Sequence, residues 1–371
     1  MRTLSLSLAL VLFPALVACG GTESPTSEAT GSQSSAVQGG NVDTSAAHNF
    51  AVGIANRYGG VCSGTLIAPN LVLTARHCVV PPSGNEAVTC KDMFPANVAP
   101  SALGVTTSPN LYRAKGYYQA KEIITPKDTA FCGNDIALVI LEDSIPASEA
   151  TPVTPVVQFS MTDTSKIGGK VVAVGYGITN PSANDSGQRR MREDIDILCI
   201  PGDKAKECSG KYASYVDSEK EFVTEGWVCS GDSGSGAFEQ SSFEKGAAYV
   251  LGTLSRGPQT ESECLAAIYT RTDAHAEMII AAGEKAAAQG GYEEPTWLKP
   301  ASTDPIPEPG TTTCDGDTCT DVSETSPAEA PTVTKTTTTG CSTSGVGSTG
   351  LSGFGAIAIG LAALLAGRRR R

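Results

Sequence analysis

The sequence predicts an all-β fold. Short apolar runs recur between turn signals, and no alternating series of helical segments separates them. Gly (40 residues) and Pro (22 residues) are numerous enough to supply many turns. Aromatic residues are only 6% of the 371-residue chain, which suits short strands with polar flanks. In chain order the strand candidates are Phe50–Ala55, Thr65–Ile67, Leu71–Thr74, Ile136–Leu141, Val171–Val174, Ala247–Leu254 and Ala267–Thr270. One helical pattern closes the globular stretch. Residues Ala274–Ala288 are Ala-rich, carry Glu277 and Glu284, and run into Gly290-Gly291, a helix stop.

The two ends have a different character. Residues 1–18 read as a signal peptide: Arg2, an apolar run from Leu4 to Leu16, then small residues. Leu16-Val17-Ala18-Cys19 resembles a bacterial lipobox, whose Cys becomes lipid-modified; an ordinary signal peptide cut nearby is the alternative. Residues 19–36 are Gly/Ser/Thr-rich, a lipidated linker or pro-segment. Residues 37–289 are globular in composition. Residues 290–340 form a Pro/Thr/Ser-rich stalk in which Cys314 and Cys319 would close a small loop. Residues 341–371 begin at Cys341, continue through an apolar Leu351–Gly367 run and end in Arg368–Arg371. That run sits at the short end of the ~17–25 residues that span a bilayer, with arginines to hold its end on the cytoplasmic side. The arrangement resembles the C-terminal sorting tail of myxobacterial surface proteins; a simple C-terminal anchor is the alternative. These ends predict a bacterial cell-envelope protein, anchored at the outer-membrane surface through lipid or tail, or released after processing.

The formal charge is -12 and neither acids nor bases gather into a long internal block, so a nucleic-acid partner is not expected. Twelve cysteines are many for a reducing compartment. No Cys-x-x-Cys pair exists, and the three histidines are His48, His77 and His275, so disulfides fit better than a zinc site. Neither metal nor cofactor is expected. His48 and His275 lack a motif context and read as ordinary surface or loop residues.

Three segments carry chemistry. Thr74-Ala75-Arg76-His77-Cys78 sets a histidine beside a cysteine, Asn134-Asp135-Ile136-Ala137-Leu138 sets a carboxylate at the mouth of an apolar strand, and Cys229-Ser230-Gly231-Asp232-Ser233-Gly234 sets a serine in a Gly-rich turn. A serine hydroxyl is a poor nucleophile at neutral pH. It needs a base, a carboxylate to orient that base, and donors for the oxyanion. The motif Gly-x-Ser-x-Gly fails because Ser235 stands where its last Gly should be, and the order of the residues also opposes an α/β-hydrolase.

The order His, Asp, Ser and the motifs Ala-x-His-Cys, Asp-Ile-Ala-Leu and Gly-Asp-Ser-Gly resemble the trypsin/chymotrypsin family over roughly residues 37–285. The resemblance implies two antiparallel six-stranded β-barrels with a C-terminal α-helix, flanked by disordered linker and tail. It implies a secreted or surface-anchored serine endopeptidase, monomeric, acting on protein or peptide substrates. Ser233 would be the nucleophile, His77 the general base and acid, and Asp135 the residue that orients His77. The N–H groups of Gly231 and Ser233 would form the oxyanion hole. Ser255 and Gly257 would bind substrate, Ser255 also bonding Asp135. The family's bridges correspond to Cys62–Cys78 and Cys229–Cys264. Cys90, Cys132, Cys199 and Cys208 remain, with Cys90–Cys132 and Cys199–Cys208 as one pairing and crossed pairings open.

The same resemblance implies a zymogen. Val37-Gln38-Gly39-Gly40 fits the family's activated N-terminus, with Gln38 where an apolar residue is usual. Cleavage before Val37 would free an ammonium to pair with Asp232. Trp227 stands at the base of the primary pocket, where Arg/Lys-specific members carry Asp, and Ala267 forms a wall. Together they imply a shallow apolar pocket without preference for Arg or Lys. Arg256 replaces a usual aromatic, so the neighbouring subsite is expected to be more polar. A binding protein on an inactive peptidase fold is the rival reading, opposed by the complete set His77, Asp135, Ser233 and Gly231.

Overall fold

A computed structural model describes residues 37–82, 88–163, 165–216, 218–299, 314–315 and 318–319. The expected signal peptide, the linker with Cys19 and the tail with Cys341 lie outside the described residues. Among those described, no helix is long and apolar enough to cross a membrane.

The chain divides into two compact units, 1–305 and 306–371. In the second, the described backbone is a ladder of two short strands that pairs Cys314 with Cys319.

The first unit opens with a two-residue strand, β1 (Asn41–Val42). Then β2 (Ala51–Asn56), β3 (Gly60–Ala68), β4 (Leu71–Thr74), β5 (Leu103–Thr106), β6 (Tyr118–Ile124) and β7 (Ala137–Leu141) close an antiparallel barrel in the order β2-β3-β4-β7-β6-β5. The short β8 (Thr154–Pro155) links onward. A second ring is formed by β9 (Lys170–Gly175), β10 (Arg190–Cys199), β11 (Glu221–Glu225), β12 (Gly236–Glu239), β13 (Tyr249–Arg256) and β14 (Ala266–Arg271). Its order is β10-β11-β14-β13-β12-β9, closed by pairing of β9 with β10. The two six-stranded barrels are those the resemblance implied.

Apolar content explains both rings. Every residue of β4 and β7 is buried, with Leu73 facing Leu138 across the ladder. Together with Val52, Ile54, Leu66 and Val105 they fill the first barrel. Val171, Ala173, Ile195, Phe222, Leu251 and Tyr269 fill the second. Closure removes the exposed edges that a sheet would otherwise offer for aggregation.

A short helix, α1 (Gln240–Glu244), follows β12, and α2 (Ala276–Gly290) ends the barrels. The expected start of α2 at Ala274 shifts because Asp273–His275 form a tighter 3-10 turn. Gly291 terminates α2 in the left-handed region at φ 67° and donates its N–H to Ala287 O. The packed body runs beyond Gly290. Trp297 is buried, its Nε1–H donating to Ile67 O at 3.1 Å. Its ring lies where a Cβ on Gly283 would come within 2.5 Å. Trp297 and Leu298, inside the segment expected to be a stalk, pack against the first barrel's core.

Candidate active site

His77 lies in the 3-10 turn Arg76–Val79 that follows β4, where the extended backbone of Ala75 turns the chain into the cleft. The Cys62–Cys78 disulfide ties this turn to β3. Asp135 precedes β7 and is fully buried. Its Oδ2 is 2.8 Å from His77 Nδ1, and its Oδ1 accepts the His77 backbone N–H at 2.9 Å. Ser255 Oγ–H donates to the same Oδ2 at 2.6 Å. Burial alone would raise the Asp135 carboxyl, but the facing His77 and these hydrogen bonds hold it below the usual value. For His77, burial opposes the charged ring, yet Asp135 outweighs it and raises the imidazole.

Ser233 is half-buried and shares the cleft with His77. Two glycines shape its turn. A Cβ on Gly234, at φ 82°, would meet Thr74 Oγ1 at 2.1 Å and Ser63 O at 2.3 Å. Gly231 sits at φ 93°, a conformation favourable to glycine. The Ser233 carbonyl accepts the Ser63 N–H at 2.8 Å, and Ser63 Oγ–H donates to Gly231 O at 3.0 Å, fixing the turn against β3. The N–H groups of Gly231 and Ser233 find no acceptor among the described residues.

Asp232 is fully buried. Its carboxylate accepts the N–H groups of Gly177 and Cys229 at 2.8 and 3.0 Å. No cation bridges it among the described residues, and burial pushes it up to about 7. Val37 is buried in the second barrel's core. Gln38 accepts the Cys264 N–H at 2.9 Å and donates to Ser262 O at 3.0 Å.

The cleft has a volume of about 1170 Å³. His77, Ser233, Ser255 and Gly257 line it; Trp227 and Ala267 do not. Trp227 adopts φ 79°, and its ring lies under the Arg192 guanidinium, 3.6 Å from ring centroid to Cζ. Ala267 is enclosed in the second core. The expected pocket role of these two therefore has no direct contact with the described cleft, whose wall carries their chain neighbours. Val228 and Ile268 line the cleft instead. The expected polar subsite at Arg256 is also altered, since Glu221 pairs with this guanidinium at 2.6 Å.

The four bridges in the barrels are Cys62–Cys78, Cys90–Cys132, Cys199–Cys208 and Cys229–Cys264. Cys62, His77 and Cys78 lie close enough to suggest a metal site, but both sulfurs are in the disulfide, which removes the thiolates a metal would bind.

Three residues near the site gave no signal in the sequence. Phe131 stacks on His77 with ring centroids 6.5 Å apart. Glu221 is a fully buried carboxylate. His275, read as an ordinary surface or loop residue, is buried with Nε2 2.7 Å from Gly133 O.

The profile of the trypsin family matches residues 37–279. Phenoloxidase-activating factor 3 of Holotrichia diomphalia is similar, 26% identical over 238 residues. The match covers 59% of this chain and 62% of that protein, so the chain spans less than two thirds of its relative's length.

Proposed function

Because the chain belongs to the trypsin family, whose members are serine endopeptidases, we propose that it hydrolyses peptide bonds through an acyl-enzyme formed on Ser233. The observation that carries this reading is the buried Asp135 carboxylate, bonded to both the ring and the backbone of His77 in the cleft that Ser233 lines.

The Asp135 contact makes Nδ1 the protonated ring nitrogen and leaves Nε2 as the base. Nε2 takes the Ser233 hydroxyl proton as Oγ attacks the scissile carbonyl. The imidazolium is stabilised by Asp135 and returns the proton to the leaving amine. Water then repeats the sequence to release the acid and restore Ser233. The N–H groups of Gly231 and Ser233, without an acceptor among the described residues, suit the oxyanion; losing one such donor costs about 2.7–4 kcal/mol in acyl-transfer enzymes. Ser255 and Gly257 bound the cleft where an extended substrate would pair with β13.

The pocket beside Ser233 takes an apolar side chain. Val228 and Ile268 support this reading, and among the described residues the cleft's lining carboxylate is Asp92, from the Val88–Pro95 segment rather than from beside Val228 or Ile268. The enzyme is made as a precursor cut before Val37. Burial of Val37, the Gln38 contacts to the Ser262–Cys264 backbone, and the high pKa of Asp232 support a site awaiting an ammonium. Residues 1–18, Cys19 and the 341–371 tail support export to a bacterial envelope, as do the four disulfides.

Processed protein should cleave peptide anilides with an apolar residue before the scissile bond. The Ser233→Ala protein should not, while keeping the same fold by circular dichroism. Equal turnover by the two proteins would remove the reading.

A further inference from the structure

We propose that Glu221 and Arg256 form an ion-pair brace for Asp135, making Glu221 a positioning residue for proton transfer at His77. The inference rests on the roles assigned above to His77, Asp135 and Ser233.

Glu221 begins β11 and is fully buried. An isolated buried carboxylate is costly, so its partners identify what it is held for. Arg256 meets it with both arms, Nη1 to Oε1 at 2.6 Å and Nη2 to Oε2 at 3.1 Å. Such a fork fixes orientation as well as distance. The carboxylate also accepts the N–H of Gly133 at 2.8 Å. Gly133 stands two residues before Asp135, in the left-handed region at φ 76°.

The other end of Gly133 is held as well. Its carbonyl is 2.7 Å from His275 Nε2. Burial depresses the His275 pKa, which favours a neutral ring carrying its proton on Nε2 toward that carbonyl. Asn134 is fixed by its amide, which donates to Asp128 Oδ2 and Ala130 O at 3.2 and 3.1 Å. The approach to Asp135 is therefore bonded residue by residue, and Glu221 supplies the charged anchor at Gly133.

Arg256 reaches Asp135 through Ser255. Its Nη1 donates to Ser255 Oγ at 3.4 Å. A hydroxyl that accepts from a guanidinium has its own hydrogen left to give, and Ser255 gives it to Asp135 Oδ2. The guanidinium also lies 5.8 Å from the centroid of Phe131, the ring that stacks on His77. One ion pair thus bears on the loop before Asp135, on the hydroxyl that donates to Asp135, and on the ring behind His77. An uncharged aromatic at 256 could not supply the two-armed pairing with Glu221.

The test uses the fully processed protein with Glu221→Gln, which keeps the side-chain shape and discards the charge. An acyl-enzyme burst counts competent sites. Turnover per site is then followed against pH, leaving unchanged Arg76, a cation whose charge interacts with Asp135. Turnover per site should fall about tenfold with KM little changed, as expected for loss of alignment rather than of binding. The acid limb of kcat/KM should move to lower pH, because a loosened Asp135 raises His77 less. Arg256→Lys, which keeps the cation and loses the fork, should show a smaller loss and a shift in the same direction. If Glu221→Gln yields no titratable sites, Arg256→Lys decides by the same two readouts. Wild-type turnover per site with an unmoved acid limb would overturn the brace, whatever the change in melting temperature. A wild-type protein that gives no burst would overturn the catalytic roles themselves.

Discussion

Asp135 holds His77 at two points, the ring through Oδ2 at 2.8 Å and the backbone N–H through Oδ1 at 2.9 Å. A planar carboxylate bonded in this way sets the tilt of the imidazole relative to its own main chain. Rotation of the ring would break one bond while the other stayed in place. The hydroxyl of Ser255 gives Oδ2 a second donor at 2.6 Å, which stiffens the carboxylate from the side of the second barrel. Both barrels therefore meet at one oxygen atom.

Asp135→Asn should leave the fold intact and reduce kcat by roughly 10⁴-fold, the loss seen when the equivalent carboxylate of a related triad is neutralised. An amide can donate to Nδ1 and so favours the wrong tautomer. The unsubstituted enzyme should also show an acid limb in kcat/KM above 6.5, the reference value, because His77 is raised and only its neutral form accepts the Ser233 proton. Activity then falls as pH drops through the His77 pKa. Steady-state rates across pH check both statements.

Asp232 connects precursor stability to pH. Its pKa is raised from 3.8 to about 7, so the folded precursor binds more protons than the unfolded chain between these values. The contribution of this group is complete below 3.8 and is lost as pH climbs through about 7. Asp232→Asn should narrow the stability gap between about pH 5 and about pH 8 by ~1–3 kcal/mol, given about 1.4 kcal/mol per pKa unit. Urea unfolding of the precursor on a Ser233→Ala background measures it. In processed protein the same change should abolish activity, since a new Val37 ammonium would lose its partner.

Trp227→Asp should fail to create a preference for Arg or Lys. The side chain at 227 points to Arg192, away from the cleft, so a carboxylate there would pair with that guanidinium. A peptide library read by mass spectrometry before and after the substitution tests this. A switch to basic residues would show that residue 227 turns inward.

Trp297→Ala should cost about 3–5 kcal/mol, within the range for emptying a large aromatic site. The ring fills the space over Gly283 and donates to Ile67 O. Urea denaturation would register the loss, and the cleft should keep its turnover while folded. An unchanged denaturation midpoint would place residues 296–298 outside the cooperative unit.

The chemistry of the site was legible where short motifs determine local backbone. Asn134–Leu138 predicted a strand mouth and Cys229–Gly234 a turn, Thr74–Cys78 set His77 beside Cys78, and the fold brings His77, Asp135 and Ser233 to one region. Strands with continuous apolar runs, such as β4 and β7, were readable for the same reason. Tyr118–Ile124 and Arg190–Cys199 were missed because charged residues interrupt them and break the apolar period. Glu221 reads as a surface residue until Arg256, 35 positions later, is brought beside it. The direction of Trp227 depends on a single left-handed backbone angle, for which a tryptophan gives no sequence cue.

The most direct test of the central claim is covalent labelling of processed protein with a fluorophosphonate, read by intact mass and peptide mapping. The account predicts one adduct per chain, located on Ser233, absent from Ser233→Ala and strongly slowed in Asp135→Asn. Failure to label the processed wild-type protein, or an adduct on another residue that persists in Ser233→Ala, would contradict it.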